Sequence, residues 1–149
     1  MLLVALGKTA GDENFADRSG GFSLCDGKDV SIVATGLCVS MALEAAKLLA
    51  AEGISARVIN IHTIKPVDEN LLIKAAKETG AVVTAEEHSI IGGLGSAIAE
   101  VLSEKMPVPM RRVGVQDKFG KSGQVPELLE AYGLTAQHIA EVARDLVAA

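Results

Sequence analysis

From residue 22 onward the chain alternates between two kinds of pattern. Short runs of β-branched and small apolar residues are followed by longer stretches whose apolar positions recur every three or four residues. An unbroken apolar run reads as a strand covered on both faces, and the 3.6-residue period reads as a helix with one buried side. The predicted strands are "FSLC" (22–25), "VSIVAT" (30–35), "ARVINI" (56–61), "AVVTA" (81–85) and "VPMRRVGV" (108–115). Between the first two, "DGKD" is a turn signal of the Asp-Gly kind. Those two strands are therefore expected to form a hairpin, one antiparallel to the next.

The helices are marked at their ends. Gly36 breaks the second strand, and a helix is expected from about Cys38 to Glu52. Its stripe would be Val39, Leu43, Ala46 and Ala50, with Gly53 just past its end. Asp68 is an N-cap for a helix that turns Leu71, Leu72, Ala75 and Ala76 inward. A third helix is expected from Gly93 or Leu94 to Lys105. Pro126 in a first turn and Gly133 beyond it frame a short helix. Thr135 caps the last one, whose Ile139, Val142, Ala143 and Leu146 form an apolar stripe.

Strands alternating with helices imply right-handed crossovers and a mainly parallel sheet with helices on both faces. Val33, Ile59, Val83 and Val113 are expected to be buried in it. Ligands in such a fold favour the carboxyl ends of the strands. Three loops fall there: "TGLC" (35–38), "HTIKP" (62–66) and "EEHSIIGGLG" (86–95). The third admits two readings, a tight strand-to-helix corner or a cradle in which amides from residues 93–96 hold an anion. "GGLGS" is neither GxGxxG nor GxxxxGK[ST], and Glu86 and Glu87 would repel a phosphate beside it.

The remaining chemistry is incomplete. His62 and His88 are either acid/base groups titrating near neutrality or loop histidines bonded to neighbouring backbone. Histidine and glutamate are metal-ligand types, but no pair has the i, i+4 helical spacing, and no metal site is expected. Cys38 near a helix start is either a thiol of lowered pKa or a small buried hydrophobe. Arg111 and Arg112 are either a phosphate clamp or a solvated pair. His62, Glu87, His88, Gly92, Gly93 and Ser96 are retained as candidate ligand or partner contacts.

Composition narrows the partners. The 149 residues suffice for one domain with a real core; 49% are hydrophobic and only 3% aromatic, the usual filling of helices packed on a parallel sheet. A formal charge of −5 argues against nucleic acid or an anionic membrane as partner. No apolar run approaches the ~18 residues that span a bilayer. Residues 1–21 read as a linker or truncated upstream segment, poorly ordered; their apolar run is too short for a signal peptide and no basic residue precedes it. Cys25 and Cys38 have neither metal spacing nor a CxxC pair, so a cytoplasmic chain with reduced thiols is expected.

The order of motifs adds a resemblance. "DGKDVSIVATG", "ALEAAKLLAAEGISARVINIHTIKPVDENLL", "ETGAVVTAEEHSIIGGLGSAIAEVL" and "VGVQDKFGKSGQVPELLEAYGLTAQHI" follow one another from about Gly27 to Leu146. Together they resemble the C-terminal domain of transketolases, most closely the C-terminal part of the split form made as two chains. Related domains occur in deoxyxylulose-5-phosphate synthase and the beta chain of 2-oxo acid dehydrogenases. The resemblance implies a three-layer α/β/α domain with a five-stranded mixed, mostly parallel sheet over residues 22–149.

It also implies an enzyme that transfers a two-carbon ketol unit between sugar phosphates, in pentose phosphate metabolism, using thiamine diphosphate and magnesium. In that family the cofactor sits between two other domains. One of them carries a Gly-Asp-Gly motif and a downstream Asn, and the other an activating glutamate. This sequence has no Gly-Asp-Gly, so no catalytic or cofactor-binding residue carries over to it. The expected role is assembly with the missing N-terminal domains or subunit in a homo-oligomeric enzyme, with the isolated chain inactive and a regulatory ligand as a further role. The competing expectations are a stand-alone small-ligand-binding module, or the equivalent domain of a synthase or dehydrogenase.

Overall fold

In the computed structural model, which describes residues 20–149, strand β2 (Val30–Ala34) is the axis of the molecule. All five of its residues are buried, as its unbroken apolar run requires. β3 (Ala56–Asn60) pairs with it in parallel on one side and β4 (Val82–Ser89) on the other. β5 (Met110–Val115) extends the sheet beyond β4, and β1 (Phe22–Cys25) closes the far edge, giving the order β1-β3-β2-β4-β5. The predicted five-stranded mixed sheet is present, with one antiparallel strand.

The antiparallel strand does not pair where the turn signal pointed. β1 runs against β3, with Phe22 opposite Asn60 and Ser23 opposite Ile59, so β1 and β2 form no hairpin. Both edges of β2 are taken by parallel neighbours, and β1 takes the free side of β3 instead. The residues after Asp26-Gly27 pass across the start of β3, and the amides of Lys28 and Asp29 both donate to the carbonyl of Ser55.

Helices α1 (Cys38–Ala51) and α5 (Ala136–Ala148) cover one face of the sheet, and α2 (Glu69–Thr79) and α3 (Leu94–Lys105) cover the other. The short α4 (Val125–Ala131) precedes α5 and buries no residue. Side chains alternate along each strand. Ile32, Val58, Val83 and Val113 therefore pack beneath α1 and α5, while Val33, Ile59 and Val82 pack with Leu72, Leu94 and Ile98 of the opposite layer. The four sheet residues named from the sequence, Val33, Ile59, Val83 and Val113, are all buried.

The expected caps form. The Leu71 amide donates to Asp68 Oδ1 at 3.0 Å, and the His138 amide donates to the Thr135 hydroxyl at 3.2 Å. The buried side of α1 differs from the expected stripe. It comprises Cys38, Val39, Ala42, Ala45 and Leu49, while Ala50 is exposed and Leu43 and Ala46 are half-buried. Apolar residues surround most of this helix, so period alone does not select a side; small Ala42 and Ala45 let it lie close on the sheet. Smaller shifts occur at Leu71 and Val142, both half-buried, with Ala140 taking the inner position on α5. Of the expected linker over 1–21, residues 1–19 lie outside the described residues, whereas Gly20 is buried.

Candidate functional site

The crossover through α1 carries the chain from β2 to β3, and the one through α2 returns it past β2 to β4. Successive connections thus leave β2 and β4 in opposite directions, and a crevice opens at their carboxyl ends. Here it is a cleft of about 360 Å³ lined by Thr35, Gly36, Ile64, Glu86, Glu87, His88, Gly92 and Gly93. All three loops marked in the sequence contribute to it.

Its floor is made by two adjacent glutamates with opposite orientations. β4 continues beyond the expected 81–85 to Ser89, and alternation sends Glu86 toward α3 and Glu87 toward α1. Glu86 is 1% exposed. Its Oε2 accepts from the Leu94 amide at 2.7 Å and its Oε1 from the Gly95 amide at 2.9 Å. Those are first-turn N–H groups of α3, which have no partner within the helix and carry its positive end. Glu87 does the same for α1 from the other side of the strand, accepting from the Cys38 amide at 3.3 Å while staying exposed.

The glycines follow from these carboxylates. A Cβ on Gly93 would overlap the Glu86 carboxylate, and one on Gly36 would overlap that of Glu87. Gly92 has open space around it but a φ of +77°, the left-handed turn that carries the chain into α3. The corner is tied from outside as well. Ser96 Oγ accepts from the Gly92 amide at 2.9 Å and donates to the Ile90 carbonyl at 3.1 Å. Arg112 donates to the same carbonyl at 2.8 Å.

The candidate contacts therefore divide. Glu87, His88, Gly92 and Gly93 line the cleft, whereas Ser96 is spent on the corner. His62 lies away from it, hydrogen-bonded to Thr63 Oγ1 at 3.0 Å, its ring 6.1 Å from that of Phe22. His88 is exposed, with Nδ1 2.9 Å from the Ser89 carbonyl. Arg111 and Arg112 bond to backbone carbonyls. Thr35, Gly36, Ile64 and Glu86 are lining residues absent from the candidate set. The signal for Glu86 was present: consecutive acids on a strand end, immediately before the start of one helix, face opposite helix layers.

Two alternatives left open by the sequence are decided: Cys38 is the small buried hydrophobe, and the 86–96 stretch is a tight strand-to-helix corner. Burial first, then the charges of Glu87 and Glu86, push the Cys38 thiol up to about 12. Its position at a helix start does not lower its pKa, and it is no ready nucleophile. The anion cradle is filled from within, since the Glu86 carboxylate occupies the amides that a phosphate would use. With two glutamates and no Lys or Arg in its lining, the cleft does not fit a diphosphate group. Among the described residues, no three His, Cys, Asp or Glu side chains form a metal-ligand cluster.

Comparison with known proteins agrees with this architecture. The family model for the transketolase C-terminal domain matches residues 22–139. The 6-deoxy-6-sulfo-D-fructose transketolase subunit SqwH of Clostridium sp. (strain MSTE9) is 54% identical over 123 residues, 83% of this chain and 38% of that protein. A 1-deoxy-D-xylulose-5-phosphate synthase of Heliobacterium modesticaldum is 52% identical over 124 residues, 83% of this chain and 19% of its own length. Among solved structures, a split-gene transketolase described as an inactive beta4 tetramer superposes with a TM-score of 0.83 at 55% identity, covering 87% of this chain and 43% of that one. The chain spans less than half the length of each of these proteins. With the sheet order, the three layers and the match over residues 22–139 in agreement, this chain belongs to the transketolase C-terminal domain family.

Proposed function

We propose that this chain is the C-terminal domain of a split transketolase and serves in assembly of the complete enzyme, not in its chemical step. The observation that carries this reading is the lining of the cleft, where Glu86 is spent on the start of α3 and no Lys or Arg is present to hold a diphosphate. Thiamine diphosphate and magnesium, with the residues that hold them, belong in this reading to the remaining domains or subunit. The split form is supported by the likeness to a split-gene transketolase, 55% identical with a TM-score of 0.83, and to the SqwH subunit, 54% identical. The substrate class proposed is a sugar phosphate or related sugar, since the relatives' names range from a sulfosugar to apulose 4-phosphate. A cytoplasmic setting is supported by the two free cysteines, one buried and one half-buried.

Calorimetry of the chain with thiamine diphosphate and magnesium tests the division of labour. No binding is expected from the chain alone, and ketol transfer is expected once the other domains are supplied. Micromolar cofactor binding by the 149-residue chain would overturn the reading. The cleft of about 360 Å³ favours a second reading, a regulatory small-ligand site, and its acidic floor suits a cationic group over a phosphate. The 52% identity to a deoxyxylulose-phosphate synthase favours the equivalent role in that enzyme. Reconstituted activity with a sugar-phosphate acceptor against one with a synthase's substrates separates the two.

A further inference from the structure

β1 is a short strand on the outer edge of the sheet, four residues with a register shift between Ser23 and Cys25. Such a strand gains few ladder bonds, yet the residues that lead into it are pressed against two other elements. Gly20 is buried and has a φ of +145°, in the region that favours glycine. A Cβ there would stand 2.6 Å from the Cβ of Asp68, the residue that caps α2. A Cβ on Gly21 would overlap Ile61 Cδ1, and it would stand 2.9 Å from the Asn60 carbonyl oxygen and 3.2 Å from Leu71 Cδ2. Phe22 follows, paired with Asn60, its ring 6.1 Å from that of His62. Residues 20–22 thus meet the end of β3, the start of the 62–66 loop and the first turn of α2 together. Asn60 is the last residue of β3, so the chain enters at the carboxyl edge of the sheet, and the same loop carries Ile64 into the cleft.

We propose that residues 20–22 are a fixed joint, holding the preceding chain to the end of β3 and the start of α2 and so setting the direction from which it enters the domain. A flexible linker needs no such fit. Glycines in a linker keep their freedom because their backbone is solvated. Here both give it up, and their missing side chains let the main chain lie against Asp68 and the Asn60 carbonyl. The joint is a property of the chain itself, whichever enzyme it serves. In the assembly role proposed above, it orients the domain against the residues that precede it.

Trypsin cleavage after Arg18 in the full chain tests this. A protease needs several extended residues on both sides of the bond, and residues 20–22 cannot supply them while docked. The reference is a peptide of residues 12–27, whose single basic residue is Arg18. Cleavage in the chain is expected to be at least about tenfold slower than in the peptide. Gly21→Val cannot keep its place beside the Asn60 carbonyl and is expected to recover most of that difference, with its fold verified by circular dichroism. Gly53→Val is the control. Its φ of +81° makes the change costly, and it lies in open space before the other end of β3, so it lowers stability away from the joint and is expected to leave Arg18 slow. Cleavage of the parent chain at the peptide's rate overturns the proposal, and so does a Gly21→Val chain cut no faster than the parent. Equal acceleration by Gly53→Val also overturns it, since release then follows overall stability. The comparison of chain with peptide decides the matter even where Gly21→Val fails to fold.

Discussion

The starts of α1 and α3 are built by the same device with unequal commitment. Each is met by a glutamate from the end of β4, and each glutamate stands against a glycine that leaves it room. At α3 the carboxylate is buried and both oxygens are engaged, at 2.7 and 2.9 Å. At α1 the carboxylate is exposed and makes one bond of 3.3 Å. A buried charge that is fully hydrogen-bonded costs much to disturb, whereas a solvated cap is readily replaced by water. The α3 end is therefore a keystone of the fold, while the α1 end leaves its carboxylate available for contact.

Breaking the keystone should give the largest effect. Glu86→Ala removes the partners of the Leu94 and Gly95 amides and empties the space beside Gly93. A loss of about 3 kcal/mol is expected in urea unfolding, from two charge-assisted hydrogen bonds. Gly93→Val comes next, at about 2 kcal/mol, because its side chain must displace the Glu86 carboxylate. The two changes are expected to be non-additive: with Glu86 already Ala, Gly93→Val costs measurably less than it does alone. Equal costs in both backgrounds would mean that the glycine is required for another reason.

The contrast also explains what the sequence could and could not disclose. Strand and helix patterns are local, and β2, β3, α2 and α5 lie where the apolar periods placed them. The pairing of β1 is not local. Asp26-Gly27 is a hairpin signal, but the competition for the edges of β2 is settled by β4, more than fifty residues away in the chain. The buried side of α1 was ambiguous because nearly every side of it is apolar. At the site, the three loops followed from the alternation of strands and helices, and the glutamates' opposition to an added phosphate was legible, but not the way it arises. They were read as repelling an anion from the start of α3, and Glu86 is itself the anion there. His62 was grouped with the site for its residue type, and its loop carries it toward Phe22 instead.

Cys38 offers a way to sharpen the comparison through pH. Burial, then Glu87 and Glu86, hold its thiol protonated up to about 12, against an ordinary value of 9.0. The unfolded chain releases that proton from about 9 upward while the folded chain keeps it, so stability is complete below this range and falls as pH rises toward about 12. Urea unfolding from about pH 8 to about pH 11 should therefore show a decline that is shallower in Cys38→Ala. Tyrosine and lysine titrate there too, so the difference between the two chains is the quantity to read. Equal slopes would mean that the Cys38 thiol does not couple to folding.

The smallest effects belong to the exposed side. Glu87→Ala removes a single long bond to the Cys38 amide, which solvent at the cleft mouth can replace, so a loss below about 1 kcal/mol is expected. His88→Ala should fall within about 0.5 kcal/mol of the parent, since the ring is exposed and its one contact is with the neighbouring Ser89 carbonyl. Thermal and urea unfolding of both variants, measured beside Glu86→Ala, give the ranking directly. If His88→Ala proved as damaging as Glu86→Ala, the histidine would be holding the corner together, and the division between a structural and an available end of β4 would fail. If Glu87→Ala matched Glu86→Ala, exposure would not be what separates the two helix starts, and the α1 end would have to be treated as a second keystone.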